Sequence, residues 1–328
     1  MIDDHHPPAA GRTALPASPW QSAGAQGGAQ AAVETGPQVS GPADGGCDQS
    51  PLVAVRKSAG SSGDFAGQPN ELPEDAETTA DLPVGIDDRL EARFVDPAGT
   101  EQRTLWLEAA RGVCLEECGP VRRFPVRHGK RMAPGWWWSA TNGRLVHYAS
   151  GVMRTQVMLL DWDPSVVAIA CRPVELTWRE RDGTWVRHAP HLMARLADGR
   201  GLLADCAGHG DISPRLACRA AVTEAAAAAV GWHYQVLRPP DPVLAANLRW
   251  LAGYRHPRYK GGKLARRAAE AFRRPRPLIE GVHELGNPIQ VFPVVFHALW
   301  HGDLSAPLDV PLHERVPVTA VTQGRGQG

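Results

Sequence analysis

Lysine is nearly absent: four of the thirty-five basic residues are Lys and the other thirty-one are Arg. With abundant Ala, Gly and Pro, that bias follows from a GC-rich bacterial genome as readily as from any function. Residues 1–10 are acidic and His-rich with no apolar run, so no secretory signal peptide is expected. No apolar stretch approaches the roughly 20 residues needed to cross a bilayer, so no membrane partner is expected. Cysteine is used sparsely, at 47, 114, 118, 171, 206 and 218. Nothing in that pattern argues for secretion, and a reduced, cytoplasmic protein is the expectation. Cys114 and Cys118 lack a second pair at zinc-ribbon spacing, so no structural zinc is expected there.

What is present is unevenly distributed. Acids and bases balance at thirty-five each, but residues 1–89 hold thirteen Asp/Glu against four Lys/Arg. The remaining 239 residues therefore carry a net charge of +9. An acidic tail on a basic body is an asymmetry found in nucleic-acid proteins, and solubility explains it too. Residues 1–88 are rich in Gly, Ala, Pro, Ser and Asp and cannot bury enough apolar surface to offset chain entropy, so they are expected to be disordered. The same is expected of 321–328.

Order is predicted to begin near Leu90. Ala92–Val95 and Thr104–Leu107, joined by Asp96-Pro97-Ala98-Gly99, read as a β-hairpin, followed by a short segment Phe124–Arg127 and the run Trp136-Trp137-Trp138. Arg144–Leu160 carries Val146, Met153, Val157 and Leu160 at helical spacing and stops before Asp161-Trp162-Asp163-Pro164. Val174–Trp178, Leu192–Leu196 and Leu202–Cys206 read as strands, the last two joined by a tight turn at Asp198–Gly201. Pro214–Val230 reads as a helix closed by Gly231, and His233–Leu237 as a strand. Helices follow at Val243–Leu251, capped by Asp241-Pro242, at Lys263–Phe272 and at Ile289–Trp300. Leu304–Pro311 reads as a short strand or wing. The fold class is α/β: an αβββαβ core over 89–240 with an N-terminal β-hairpin extension, then a helical part over 241–320 compatible with a winged helix. Such a string occurs in many mixed α/β domains, the restriction-endonuclease-like core among them.

Several stretches carry a resemblance. They are Pro134-Gly135-Trp136-Trp137-Trp138-Ser139-Ala140-Thr141, Leu159-Leu160-Asp161-Trp162-Asp163-Pro164, Val186-Arg187-His188-Ala189-Pro190, Asn247-Leu248-Arg249-Trp250-Leu251-Ala252-Gly253-Tyr254-Arg255-His256-Pro257-Arg258, and Phe292–Trp300. In order and spacing, from about 92 to 317, the chain resembles TnsA-like heteromeric transposase endonuclease subunits of the actinobacterial type. The resemblance implies a PD-(D/E)xK nuclease fold, DNA at transposon ends as ligand, a TnsB-like transposase subunit and a TnsC-like ATPase as partners, and Mg²⁺ held by converging carboxylates, since that ion prefers hard oxygen ligands.

The residues that would perform this chemistry are mostly replaced. Where the family has Tyr-Glu-Ser, this chain has Tyr148-Ala149-Ser150, and Met153 stands where a second acid commonly follows. The Asp expected after His-Ala-Pro is His191, and the acid-x-base pattern of the next strand reads Asp205-Cys206-Ala207. Of the catalytic positions, Asp205 keeps its acid and His191 stands in for one, while those at Ala149 and Ala207 are lost. The resemblance thus implies a pseudoenzyme with no cofactor. The alternatives are an active endonuclease with Mg²⁺ or another divalent metal, and a decayed mobile-element remnant. An active enzyme would need a rebuilt metal site at His188, His191, Asp205 and His209, or acids such as Asp161 or Glu175.

Binding has its own candidates. Arg255, Arg258, Lys260, Lys263, Arg266 and Arg267 belong to a stretch, 255–276, with nine cations and one acid, Glu270. Clustered cations of this kind supply phosphate contacts. Of the consecutive tryptophans two are expected in the core and one at the surface, because side chains alternate along a strand. Trp162, Trp178, Trp185, Trp232 and Trp250 are expected in the core, as are Val291, Val295, Phe296 and Leu299.

Overall fold

The computed structural model describes residues 90–122 and 134–321, all within one compact unit, Asp81–Gly328. The expected disorder of 1–88 and of the last residues, and the segment Phe124–Arg127, lie outside the described residues.

β1 (Glu91–Val95) and β2 (Glu101–Leu105) form the expected hairpin, turning at Gly99, whose φ of 87° suits glycine. The second strand ends two residues early, because Trp106 opens a short helix, α1 (Trp106–Gly112). β3 (Gly135–Ser139) then pairs with β4 (Arg144–Tyr148), so the first five residues of the predicted helix Arg144–Leu160 are a strand. Val146 and Met153 are seven residues apart and satisfy helical spacing whether or not the chain between them is helical. The helix itself, α2 (Gly151–Trp162), starts at Ser150, whose hydroxyl accepts the Met153 N–H.

β5 (Val166–Cys171) was not expected. β6 (Val174–Arg179) and β7 (Trp185–His188) leave the core: they extend the hairpin into an antiparallel sheet ordered β2-β1-β6-β7. The predicted strand Val174–Trp178 thus exists in a different sheet. β8 (Leu192–Leu196), β9 (Gly201–Cys206), α3 (Pro214–Ala228) and β10 (His233–Leu237) follow the expectation closely. Ser213 caps α3, and Gly231 takes a φ of 72° just past its end.

The central sheet has the order β10-β9-β8-β5; β5, β8 and β9 run antiparallel and β10 parallel to β9. Parallel pairing demands a crossover, and α3 supplies it. In β8 and β9, Leu192, Met193 and Ala194 and then Leu202 through Asp205 are buried in succession, the signature of strands covered on both faces. Met193 and Leu203 share a core cluster with Ala226 and Ala227 of α3 and with Trp106, Leu176 and Trp178. The Trp106 indole N–H donates to the Ala226 carbonyl at 2.6 Å, tying α1 to α3.

Four further helices follow: α4 (Pro242–Leu251), α5 (Lys263–Ala271), α6 (Leu278–Leu285) and α7 (Pro288–Trp300). A small sheet accompanies them, with β13 (Pro317–Ala320) between β11 (Arg276–Pro277) and β12 (Leu304–Ser305). Only Leu304 and Ser305 of the predicted segment Leu304–Pro311 are strand. The face Val291, Val295, Phe296, Leu299 is core, as expected. Of the three consecutive tryptophans, Trp137 is buried, Trp138 half-buried and Trp136 exposed. Trp178 and Trp232 are core, but Trp185 and Trp250 are each 59% exposed, contrary to expectation. Among the described residues, no helix is long and apolar enough to cross a membrane.

Candidate functional site

Asp205 is fully buried and sits next to last on β9. Two positions after Leu203, it faces the same side of the sheet as the α3 cluster. Oδ2 is 2.7 Å from His188 Nε2, at the end of β7, and accepts the Tyr234 hydroxyl of β10 at 2.9 Å. His188 therefore carries its proton on Nε2. Burial pushes the Asp205 carboxyl up, but the hydrogen bond and electrostatic influence of His188 and the Tyr234 hydrogen bond outweigh it and hold the group below its ordinary range. Tyr234 is driven the other way, by burial and then by the Asp205 charge.

His191 Nδ1 faces two groups at once. It accepts the Cys206 N–H at 2.9 Å, and it lies 3.1 Å from Asp205 Oδ1. One nitrogen cannot accept from an amide and donate to a carboxylate. Burial holds His191 below its ordinary pKa, so we assign the neutral ring with its proton on Nε2, which satisfies the amide. Asp205 Oδ1 is then a buried oxygen with no donor among the described residues.

This donor set does not fit Mg²⁺. One carboxylate, already bonded through Oδ2, offers too few hard oxygens for an octahedral ion. For a transition metal the cluster offers two donors among the described residues, His188 Nδ1 and Asp205 Oδ1, where a protein site supplies three or more, because the His191 Nδ1 lone pair is taken by an amide and Asp205 Oδ2 by His188 and Tyr234. Among the described residues no three His, Cys, Asp or Glu side chains are grouped to hold an ion. The structure brings His188, His191 and Asp205 together, while His209 is exposed on the loop after β9.

The other acids are occupied elsewhere. Asp161 accepts from Trp137 Nε1, Ser139 Oγ and the amides of Ala140 and Thr141, at 2.6–3.1 Å. Glu175 pairs with Arg93 at 3.1 Å and with Arg122. Ala149 is buried one residue before the α2 cap, and the Ala207 N–H joins the Leu237 carbonyl.

Beside this cluster opens a cavity of about 300 Å³ lined by Arg122, Arg172, Arg187, Arg215 and Arg219 with His188, His191 and Asp205. Arg172 has a φ of 45°, the one non-glycine in the left-handed region among the described residues. Its carbonyl and amide are held by Val121 N and His191 O. Burial lowers Arg172, and it lowers Arg219, which Arg215 and Arg122 lower further by repulsion. Sequence reasoning missed Arg122, Arg172, Arg215, Arg219 and Tyr234. The spacing of 215 and 219 on a helix was the available signal, since residues four apart share a face.

The other cations are distributed differently. Arg258, Lys260, Lys263, Arg266 and Arg267 are exposed. Arg255 is turned inward: it stacks 3.9 Å over the Trp137 ring and donates through Nε to the Trp138 carbonyl at 2.7 Å. The first turn of α5 combines Lys263 and Arg266 with a cap, Gly262, that has no side-chain bond. Cations at a helix N-terminus repel the macrodipole, and an anion there would relieve both.

Compared with known proteins, the chain matches no family and no curated protein.

Proposed function

We propose that this chain is a TnsA-like subunit of a heteromeric DNA transposase that binds transposon-end DNA and a TnsB-like subunit without cutting. A TnsC-like ATPase is the further partner. The reading takes the central sheet with α2 and α3 as a restriction-endonuclease-like core. Three antiparallel strands, a helix and a strand parallel to the third support it. The observation that carries the loss of cleavage is Asp205 itself: a single carboxylate remains at the strand ends, and its Oδ2 is committed to His188 and Tyr234. Among the described residues no second carboxylate joins it to hold the ion that would activate water. The exposed cations of 258–267 supply the phosphate contacts that binding requires.

The test is a pair of measurements on the full chain. Supercoiled DNA incubated with the protein and Mg²⁺, Mn²⁺ or Zn²⁺ is expected to stay intact; nicking abolished by Asp205→Ala would overturn the loss of activity. Duplex binding is expected to weaken with salt. Changing Lys260, Lys263 and Arg266 to Gln should reduce the slope of log affinity against log salt by about 2.7. An unchanged slope would remove this surface from the DNA interface.

A further inference from the structure

The arginine-lined cavity continues outward. A second cavity, of about 660 Å³, shares Arg122, Arg187, Arg215 and Arg219 with the first and is lined in addition by Glu180, Trp185 and Cys218. The two form one groove between β7 and the first turns of α3. At its inner end are His188, Arg172 and the buried Asp205; at its outer end is Trp185, 59% exposed.

We infer that this groove binds single-stranded nucleic acid, with a base stacked on Trp185 and the following phosphates held by Arg187, Arg215 and Arg219. This rests on the reading of the chain as a DNA-binding protein, and it adds a second, separate surface and a strandedness. Three observations carry it.

The first is the arrangement along β7. That strand is an edge of its sheet, and its side chains alternate: Val186 and His188 turn inward, while Trp185 and Arg187 turn out. Two residues along a strand span about 6.6 Å. An aromatic ring and a guanidinium are thus presented one after the other along an extended path, the combination that non-sequence-specific single-strand binders use.

The second is uncompensated charge. Leaving Arg172 aside, four arginines line the joined cavities, Arg122, Arg187, Arg215 and Arg219, against two acids, Asp205 and Glu180. Asp205 is buried and bonded to His188 and Tyr234, and Arg122 already pairs with Glu175. Arg215 and Arg219, one turn apart on α3, repel each other. An anionic chain lying between α3 and β7 removes that repulsion.

The third is size and rim. The inner cavity, about 300 Å³, lies at the small end of ligand sites and suits one phosphate with its sugar. At the mouth the Trp185 indole is 59% exposed. A base freed from pairing offers it a ring face, which a stacked duplex does not.

The experiment uses the full chain and fluorescence anisotropy with a labelled oligonucleotide, presented as a single strand and as a duplex. The single strand is expected to bind. Trp185→Ala should weaken it about tenfold, Trp185→Phe should restore most of the loss, and duplex binding should stay within about twofold. Changing Arg187, Arg215 and Arg219 together to Gln should lower the single-strand salt slope by about 2. Trp250→Ala, at an equally exposed indole elsewhere, is the control and should change nothing. Circular dichroism of each variant separates misfolding from lost contacts, and Trp185→Phe keeps the question decidable if the alanine variant unfolds. Binding of neither oligonucleotide would sink both this inference and the DNA-binding reading. Duplex binding with a single-strand affinity indifferent to Trp185→Ala would sink this inference alone. So would a polyglutamate peptide competing as well as the oligonucleotide, since the groove would then read charge only.

Discussion

At the scale of single residues, burial decides what each charged group does. Asp161 is surrounded by four donors, and truncating it strands them in a dry setting. Asp161→Ala is expected to lower unfolding stability by about 3 kcal/mol in urea titration. A loss below about 1 kcal/mol would show that water replaces the carboxylate. Asp205 was singled out in the sequence through the family pattern, as the acid kept in Asp205-Cys206-Ala207. Arg255 was misread: spacing counts it among the surface cations, and nothing local announces the Trp137 ring, 118 positions away, on which it stacks. Trp185 failed in the opposite sense. A large aromatic is taken as core unless its strand is known to be an edge, and edges are a property of the assembled sheet.

At the scale of elements, two sites make expectations concrete. Gly281 in α6 meets the Phe272 ring so closely that a Cβ would overlap it, and Phe272 is fully buried. Gly281→Ala should destabilise the protein by about 1–3 kcal/mol, read as a lowered thermal midpoint. In α7, His297 is buried and its Nδ1–H donates to the Tyr254 carbonyl at 2.8 Å. Burial holds it below the ordinary 6.5, the Tyr254 bond acts upward, and His301 beside it lowers it again. Asp303 and Lys260 also face it and act in opposite directions. A folded-state pKa below the unfolded one means that the stabilisation is complete above pH 6.5 and fades as pH falls. His297→Asn keeps a donor for Tyr254, so its stability should fall less steeply below that pH; an equal slope would place the titration elsewhere. The elements that sequence named well, β8, β9, α3 and β10, have local signals: a tight turn, a Ser cap, a terminal glycine. The wrongly named ones depend on partners far along the chain. Whether Val174–Trp178 joins the central sheet or β1 is settled by Ala92 and Phe94 across the ladder.

At the scale of the whole molecule, the sequence showed an acidic stretch, a basic body and an α/β string; it did not show where the bases gather. Helical periodicity spreads Arg215 and Arg219 into an ordinary exposed face, and only the fold sets them opposite β7. Two basic surfaces result, the groove and the α5 cations. They are expected to respond separately: Gln substitutions at Lys260, Lys263 and Arg266 should leave single-strand affinity within about twofold at moderate salt. A parallel loss of both affinities would mean one continuous footprint.

The guanidinium of Arg255 has a mechanical consequence. It lies on an indole of the β3–β4 hairpin, 3.9 Å from Asp161 of α2, while its own chain belongs to the segment that follows α4. That stack pins the segment after α4 to the β3–β4 hairpin and to α2, so residues 238–241, between β10 and α4, are not the sole tie between the carboxy-terminal helices and the central sheet. Amides of α2 and α4 should accordingly exchange with deuterium as one cooperative block, and cutting that stack with Arg255→Ala should split the block in two.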